Sequence, residues 1–232
     1  MSFLRGRYDC RMRLLVLSDI HADADGLETV LEHAGEAGWD ELLLLGDLIG
    51  YGAQPARTLS ILQELPVRAA VMGNHEYMLK GLRAGRNLAV SAAVRAGLER
   101  CLHELDDRQL DWLEALPEVE IMPGVQLVHG SPAGVFDYVL SARDARVAEP
   151  QLREPLCLIG HSHLPGIFLK ESDVWFARPA RRSEHSWQVP AGTTAILNPG
   201  SAWLNRDRTG GRSYGILQLG PDEARSFTVR RI

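Results

Sequence analysis

Five short apolar runs punctuate the first two thirds of the chain: RLLVLS from Arg13, ELLLLG from Glu41, VRAAVMG from Val67, VQLVHG from Val125 and PLCLIG from Pro155. Asp19 and His21 follow the first, Asp47 the second, and Asn74 with His75 the third, while His129 closes the fourth and His161 with His163 follow the fifth. Continuous Val, Leu and Ile without strict alternation suits strands covered on both faces. Any one of these endings has an ordinary explanation, since an Asp after a strand is usually a turn or a helix cap and a single histidine more often hydrogen-bonds than binds metal. Five metal-competent endings in a row exceed what turn chemistry requires. The carboxyl ends of strands in open α/β sheets gather on one edge, so all five can converge in space.

Between the runs the spacing predicts helices over 25–35, 55–64, 87–103 and 107–115. The first carries Leu27, Val30, Leu31 and Ala34 on one face and Asp23 or Asp25 as its cap, and Pro55 suits the first turn of the second. Beyond about residue 156 the chain turns to short strands, read at 165–170, 174–177, 185–189, 194–197, 213–219 and 225–230, as an antiparallel meander. The expected fold class is therefore α/β, two sheets packed face to face with helices outside, forming one domain over 1–232. The metal motifs would occupy 19–163 and a β-rich part 165–232. The Arg- and Pro-rich stretch 178–182 reads as a loop, and His33 and His103 as helix-face residues.

Composition narrows the functional classes. A chain of 232 residues, 45% apolar and 24% charged, falls among soluble globular proteins. Its 25 basic and 30 acidic residues leave a net charge of -5, which gives no footprint for stable nucleic-acid binding. Cys10, Cys101 and Cys157 are odd in number and lack CxxC spacing, so they read as reduced thiols in a cytoplasmic protein. Arg5, Arg7, Asp9 and Arg11 are not followed by a continuous apolar stretch, and no run is long enough to span a membrane, so neither export nor anchoring is expected.

The donor set is imidazole plus carboxylate, which suits manganese, iron, nickel or zinc better than an all-oxygen site would. Two Asp, one Asn and four His are too many for one four-coordinate ion, so the set implies two divalent cations, with a shared carboxylate bridging ions about 3.5–4 Å apart. The D-x-H and H-x-H spacings matter because alternate residues on extended backbone point the same way.

In order, D-x-H at Asp19, GD at Gly46, GNHE at Gly73, HG at His129 and GHSH at Gly160, with NPGS at Asn198, resemble the calcineurin-like metallophosphoesterase family, in its small bacterial and archaeal phosphodiesterase form. The resemblance implies a four-layer α-β-β-α sandwich with two mixed β-sheets. It also implies that Asp19, His21 and His163 hold one metal, that Asn74, His129 and His161 hold the other, and that Asp47 bridges them, manganese being the first choice. A metal-bridging hydroxide would be the nucleophile and His75 would protonate the leaving group.

Protein phosphatases of the superfamily carry an Arg soon after GD, whereas GDLIGYGAQP has none, which weakens a protein-phosphatase role and leaves a phosphomonoesterase as an alternative. The resemblance, with the acidic chain and no extra substrate domain, implies a phosphodiesterase or a small-nucleotide pyrophosphatase, dinucleoside polyphosphates and generic diesters both being candidate substrates. A non-catalytic scaffold of the same fold is the alternative from another class, disfavoured because every expected ligand is present. Tyr51 could stack on a substrate ring or simply pack. Arg206, Arg208 and Arg212 could clamp a phosphate or line a solvated loop, Arg181, Arg182 and His185 could rim a cleft, and Trp203 reads as core or lid. Trp175 and Trp187, taken as exposed tips, would supply the face of a homodimer.

Overall fold

The computed structural model describes residues 11–220 and 225–232, so Arg5, Arg7, Asp9 and Cys10 lie outside the described residues. The elements run β1 (Met12–Leu17), α1 (Ala24–Ala37), β2 (Glu41–Leu44), α2 (Pro55–Gln63), β3 (Val67–Ala70), α3 (Asn74–Arg83), α4 (Ala92–Glu104), α5 (Asp107–Ala115), β4 (Val119–Met122), β5 (Val125–Val128), α6 (Ala142–Ala148), β6 (Leu156–Leu158), β7 (Gly166–Glu171), β8 (Val174–Pro179), β9 (Glu184–Val189), β10 (Ala195–Asn198), β11 (Ser213–Leu219) and β12 (Arg225–Arg231).

Parity along β1 explains the layering. Successive strand side chains leave on opposite faces. Leu15 and Leu17 enter an apolar cluster with Leu27, Val30, Leu59 and Leu98 from α1, α2 and α4. Leu14 and Val16, one residue out of phase, join Leu127, Leu158, Leu197 and Phe227 in a second cluster between two sheets. On the far side, Cys157 and Ile159 meet Ala145 and Ala148 of α6. The layers are therefore helix, sheet, sheet, helix.

The first sheet has the order β3-β2-β1-β11-β12-β9 and the second β4-β5-β6-β10-β7-β8. Both are mixed: β1, β2 and β3 run parallel while β11 runs against β1, and β5, β6 and β10 run parallel while β4 and β7 run against their neighbours. This is the architecture the motifs implied.

Several expectations change. The C-terminal strands are not one meander, because β9, β11 and β12 complete the first sheet while β7, β8 and β10 complete the second. Short Gly- and Pro-punctuated strands state their existence but not their partners. The helix expected over 87–103 starts at Ala92, where the Ser91 Oγ accepts from the Val94 amide at 3.3 Å. Helices α3 and α6 and strand β4 had no prediction, and residues 178–179 belong to β8 rather than a loop. Trp175 and Trp187 are buried, so they do not offer the dimer face expected of them. Of the two α1 cap candidates the structure uses Asp23, whose carboxylate accepts from Gly26 N. Among the described residues Cys101 and Cys157 are buried free thiols, and no helix is long and apolar enough to cross a membrane.

Candidate metal centre

Strands β1 and β2 from the first sheet, and β5 and β6 from the second, send their carboxyl ends to one place. There the backbone is left-handed, not extended as the D-x-H and H-x-H spacings suggested, because both pairs lie in turns past the strand ends. Asp19, His21, Asp47, His161 and His163 all adopt positive φ, between 51° and 59°, as does Ala22 at 57°. A non-glycine residue pays about 1–2 kcal/mol for that conformation, and such residues gather where surrounding structure has a use for the strain. Hydrogen bonds to the facing loop hold it there, Ile20 N and His21 N both donating to Asp47 O at 2.9 Å.

The side chains then sort into fixed and inward-facing atoms. Asp47 Oδ1 accepts from His75 N at 2.8 Å and Asp19 Oδ2 from His161 N at 3.0 Å, so each carboxylate is anchored through one oxygen. The other oxygens face imidazoles: Asp19 Oδ1 lies 3.2 Å from His163 Nε2, and Asp47 Oδ2 lies 3.3 Å from His129 Nε2 and 3.9 Å from His21 Nε2. Backbone carbonyls settle the ring tautomers, since a carbonyl only accepts. His129 Nδ1 donates to Leu45 O at 2.6 Å, His163 Nδ1 to Leu204 O at 2.7 Å and His21 Nδ1 to Ile49 O at 3.3 Å. Each ring therefore aims its Nε2 inward, the arrangement found where a histidine ligates a cation.

For two of the rings the result is acceptor against acceptor, His21 Nε2 and His163 Nε2 standing 3.2 Å apart. His129 Nε2 stands 3.0 Å from Asn74 Oδ1 and 3.3 Å from Asp47 Oδ2. Asp19 Oδ1 and His75 Nδ1 are buried without a hydrogen-bond partner. Electrostatics report the same deficit of positive charge. Burial opposes ionisation of both aspartates, yet the surrounding imidazoles hold Asp19 and Asp47 well below the usual carboxylate range. Burial likewise disfavours a charged His129, but Asp47 outweighs it and carries His129 up to about 9. The other rings go the opposite way: burial lowers His21 to about 3 and His161 to about 4, and lowers His75 also. Donor atoms of Asp19, His21 and His163, of Asp47, His129 and His161, and of His21, Asp47 and His75 each fall within 4.8 Å of one another, so each group could hold a metal ion. The residues present thus fit divalent cations, by donor type and by the unpaired acceptors they leave.

All seven predicted ligands and His75 meet here. His75 Nε2 lies 3.9 Å from Asp47 Oδ2, and its ring stands edge-on to His21 at 4.8 Å. Tyr51 and Trp203 form a stacked pair, 5.2 Å apart at 16°, with edges against His21. The phosphate-clamp alternative for Arg212 does not hold, because its guanidinium pairs with Asp23 at 2.8 Å and donates to Trp203 O. Arg206, Arg208, Arg181 and Arg182 are exposed, and His185 stacks on Trp187.

Two sets of contributors carried no role in the sequence reading. Glu76, the last residue of GNHE, is buried and accepts from Gly73 N, Asp47 N and Leu48 N at 2.8 Å and from Ile49 N at 3.2 Å. A capping-box spacing, with a Glu three residues after the Gly73 cap, was the available signal. Asn198 of NPGS donates to Gly160 O at 2.9 Å and Ser162 Oγ at 3.0 Å, and Ser201 Oγ donates to Asp19 O at 2.9 Å. These tie the GHSH loop and the D-x-H loop together.

Residues 12–221 match the calcineurin-like phosphoesterase superfamily domain, and the chain belongs to that superfamily, a hydrolase acting on phosphoester bonds. Among solved structures it resembles a metallophosphoesterase from Sphaerobacter thermophilus, 31% identical, with a TM-score of 0.79 over 96% of this chain and 88% of that one. An uncharacterised protein of Methanocaldococcus jannaschii is 25% identical over 88% of this chain and 82% of its own. A symmetrical bis(5'-nucleosyl)-tetraphosphatase of Glaesserella parasuis is 29% identical over 61% of this chain, a match covering 53% of that enzyme.

Proposed function

We propose that the chain is a dinuclear-metal-dependent hydrolase of phosphodiesters or dinucleoside polyphosphates. The observation that carries this reading is the set of imidazoles whose Nδ1 atoms are committed to backbone carbonyls while their Nε2 atoms converge on the oxygens of Asp19, Asp47 and Asn74. Asp19, His21 and His163 would hold one ion, Asn74, His129 and His161 the other, and Asp47 both. Manganese is the first expectation, with iron, nickel or zinc as alternatives. Divalent ions bound there supply Lewis acidity to the phosphoryl oxygens and lower the pKa of bound water.

His75 turns its Nε2 toward the centre, 3.9 Å from Asp47 Oδ2, and we assign it the protonation of the leaving oxygen. Gly50 backs onto His75 so closely that any side chain there would collide with the ring, which keeps the GD loop thin on this side. The tetraphosphatase relatives are the reason for naming dinucleotides. Among the described residues Cys101 and Cys157 are free, buried thiols, which fits a reducing, cytoplasmic setting.

The test is hydrolysis of bis-p-nitrophenyl phosphate and of dinucleoside tetraphosphate by the metal-stripped chain, resupplied with manganese, nickel, iron, zinc or magnesium. Activity should return with metal and fall by at least about a thousandfold in Asp47→Asn, losing several kcal/mol of transition-state stabilisation. A His75→Asn variant should lose more on alkyl than on nitrophenyl esters. Equal losses would remove the proton-donor role, and no turnover with any metal would favour the scaffold.

A further inference from the structure

The loop that follows His129 places exposed aromatic rings beside the candidate ligand His161. Tyr138 stacks on His161, with ring centroids 4.0 Å apart at 19°. Phe136, two residues earlier, meets Tyr77 of α3 edge-to-face at 5.4 Å. The three rings remain 46%, 48% and 39% exposed respectively. Leu140 and Leu164, also exposed, continue the apolar rim and line a cavity of about 170 Å³. Exposed aromatics clustered at the edge of a polar centre, rather than scattered singly, mark a binding surface.

The loop is built to hold this shape. Ser131 and Gly134 exchange backbone hydrogen bonds at 3.0 Å, and Asp137 N returns to Gly134 O at 3.2 Å. A side chain at Gly130 would meet the carbonyls of Val135, Gly134 and Asp137 within 2.8 Å, so the loop folds tightly over its own start. The other aromatic pair near the centre is differently disposed, because Tyr51 and Trp203 use their faces on each other. Tyr138 stacks on His161 and still remains nearly half exposed.

We propose that Tyr138, Phe136 and Tyr77 form a stacking shelf beside the metal centre that binds the nucleobase, or an equivalent aromatic group, of the phosphoester. The shelf rests on the phosphoesterase reading above, and it makes an aromatic substituent, not the phosphate alone, the basis of substrate choice. Bases stack on aromatic side chains regardless of sequence, since every base offers a π-face.

Calorimetric titration of the manganese-loaded chain with AMP and with ribose 5-phosphate isolates the base, as both probes carry the same phosphate and sugar. AMP should bind about tenfold more tightly. Phe136→Ala and Tyr138→Leu should each narrow that ratio severalfold, and the double variant should bring it close to one, while Tyr138→Phe, which keeps the ring, should preserve it. Affinity for ribose 5-phosphate should stay unchanged throughout. Equal affinities for the two probes in the unaltered chain would overturn the shelf, and so would a ratio that survives the double variant, which would put the base elsewhere. Because the readout is binding, a chain that prefers AMP through these rings yet cleaves no phosphoester would sink the hydrolase and leave the shelf standing. Diester cleavage with equal affinities would do the reverse.

Discussion

Glu76 gives no atom to the candidate ligand set, yet four backbone amides end on its carboxylate, three of them in the loop that carries Asp47. Burial and the charge of Asp47 push its carboxyl up to about 7, against the pull of those amides. The position therefore needs an acceptor on both oxygens. Glu76→Gln keeps the shape but turns one acceptor into an NH₂ facing an amide N–H, leaving buried donors unpaired at a cost of about 1–3 kcal/mol. Misaligning Asp47 should also weaken manganese binding by about 10- to 100-fold, the usual effect of losing a partner that orients a ligand. Urea denaturation and calorimetry measure the two separately. Lower stability with unchanged manganese affinity would make Glu76 a purely structural residue.

The convergence of the candidate ligands was legible because each sits at the end of an apolar run. Glu76 was not, since its work is done through main-chain atoms that no residue pattern displays. Tyr138 and Phe136 were missed for a related reason: SPAGVFDYVL has no period, and only its closure over Gly130 brings those rings to His161.

Among the elements, the strands parallel in sequence order were readable, whereas α3 was hidden because its first turn is the GNHE motif itself, rich in residues that favour caps over helix interiors. The segment between β10 and β11 was read as charged loop and turns out to be a brace. Ala202 N and Trp203 N bond to Ser18 O and Asp19 O, and Arg206 N bonds to His163 O. Arg231 of β12 pins the brace by reaching Asp207 at 2.6 and 2.8 Å. Arg231 outweighs partial burial and holds the Asp207 carboxyl at about 2, below its ordinary 3.8. A depressed carboxylate stabilises the fold above its unfolded pKa and loses that contribution as pH falls through its folded one. The pair should then supply about 2 kcal/mol at neutral pH, about half of it at pH 3 and little at pH 2. Asp207→Asn should open a stability gap of that size at pH 7 that closes over pH 4 to 2. A gap independent of pH would assign the loss to packing.

At the scale of the molecule, the centre lies on the seam between the two sheets. Asp19, Asp47 and Asn74 follow strands of the first sheet, while His129, His161 and His163 follow strands of the second. Each proposed ligand set draws on both, so each ion would cross-link the two sheets at an edge where strained backbone and unpaired acceptors oppose closure. The apolar cluster between the sheets supplies the opposing force, with Leu14, Val16, Leu43, Leu45, Leu127 and Leu158 wholly buried there. Metal that binds the folded chain alone stabilises it by about 2.7 kcal/mol per site at a hundred times Kd. For a chain of 232 residues that is an increase in Tm of about 5–10 °C per occupied site. Calorimetric scans of the chelator-treated chain should therefore rise by that amount with manganese. Asp47→Asn should melt below the chelated chain, because the charge of Asp47, held well below the usual carboxylate range, balances the protonated His129 beside it, and the variant should respond weakly to metal. If manganese, nickel, zinc and magnesium all left Tm unchanged at millimolar concentration, the acceptors facing one another would have to be satisfied by protons, and the case for a metal centre would fall.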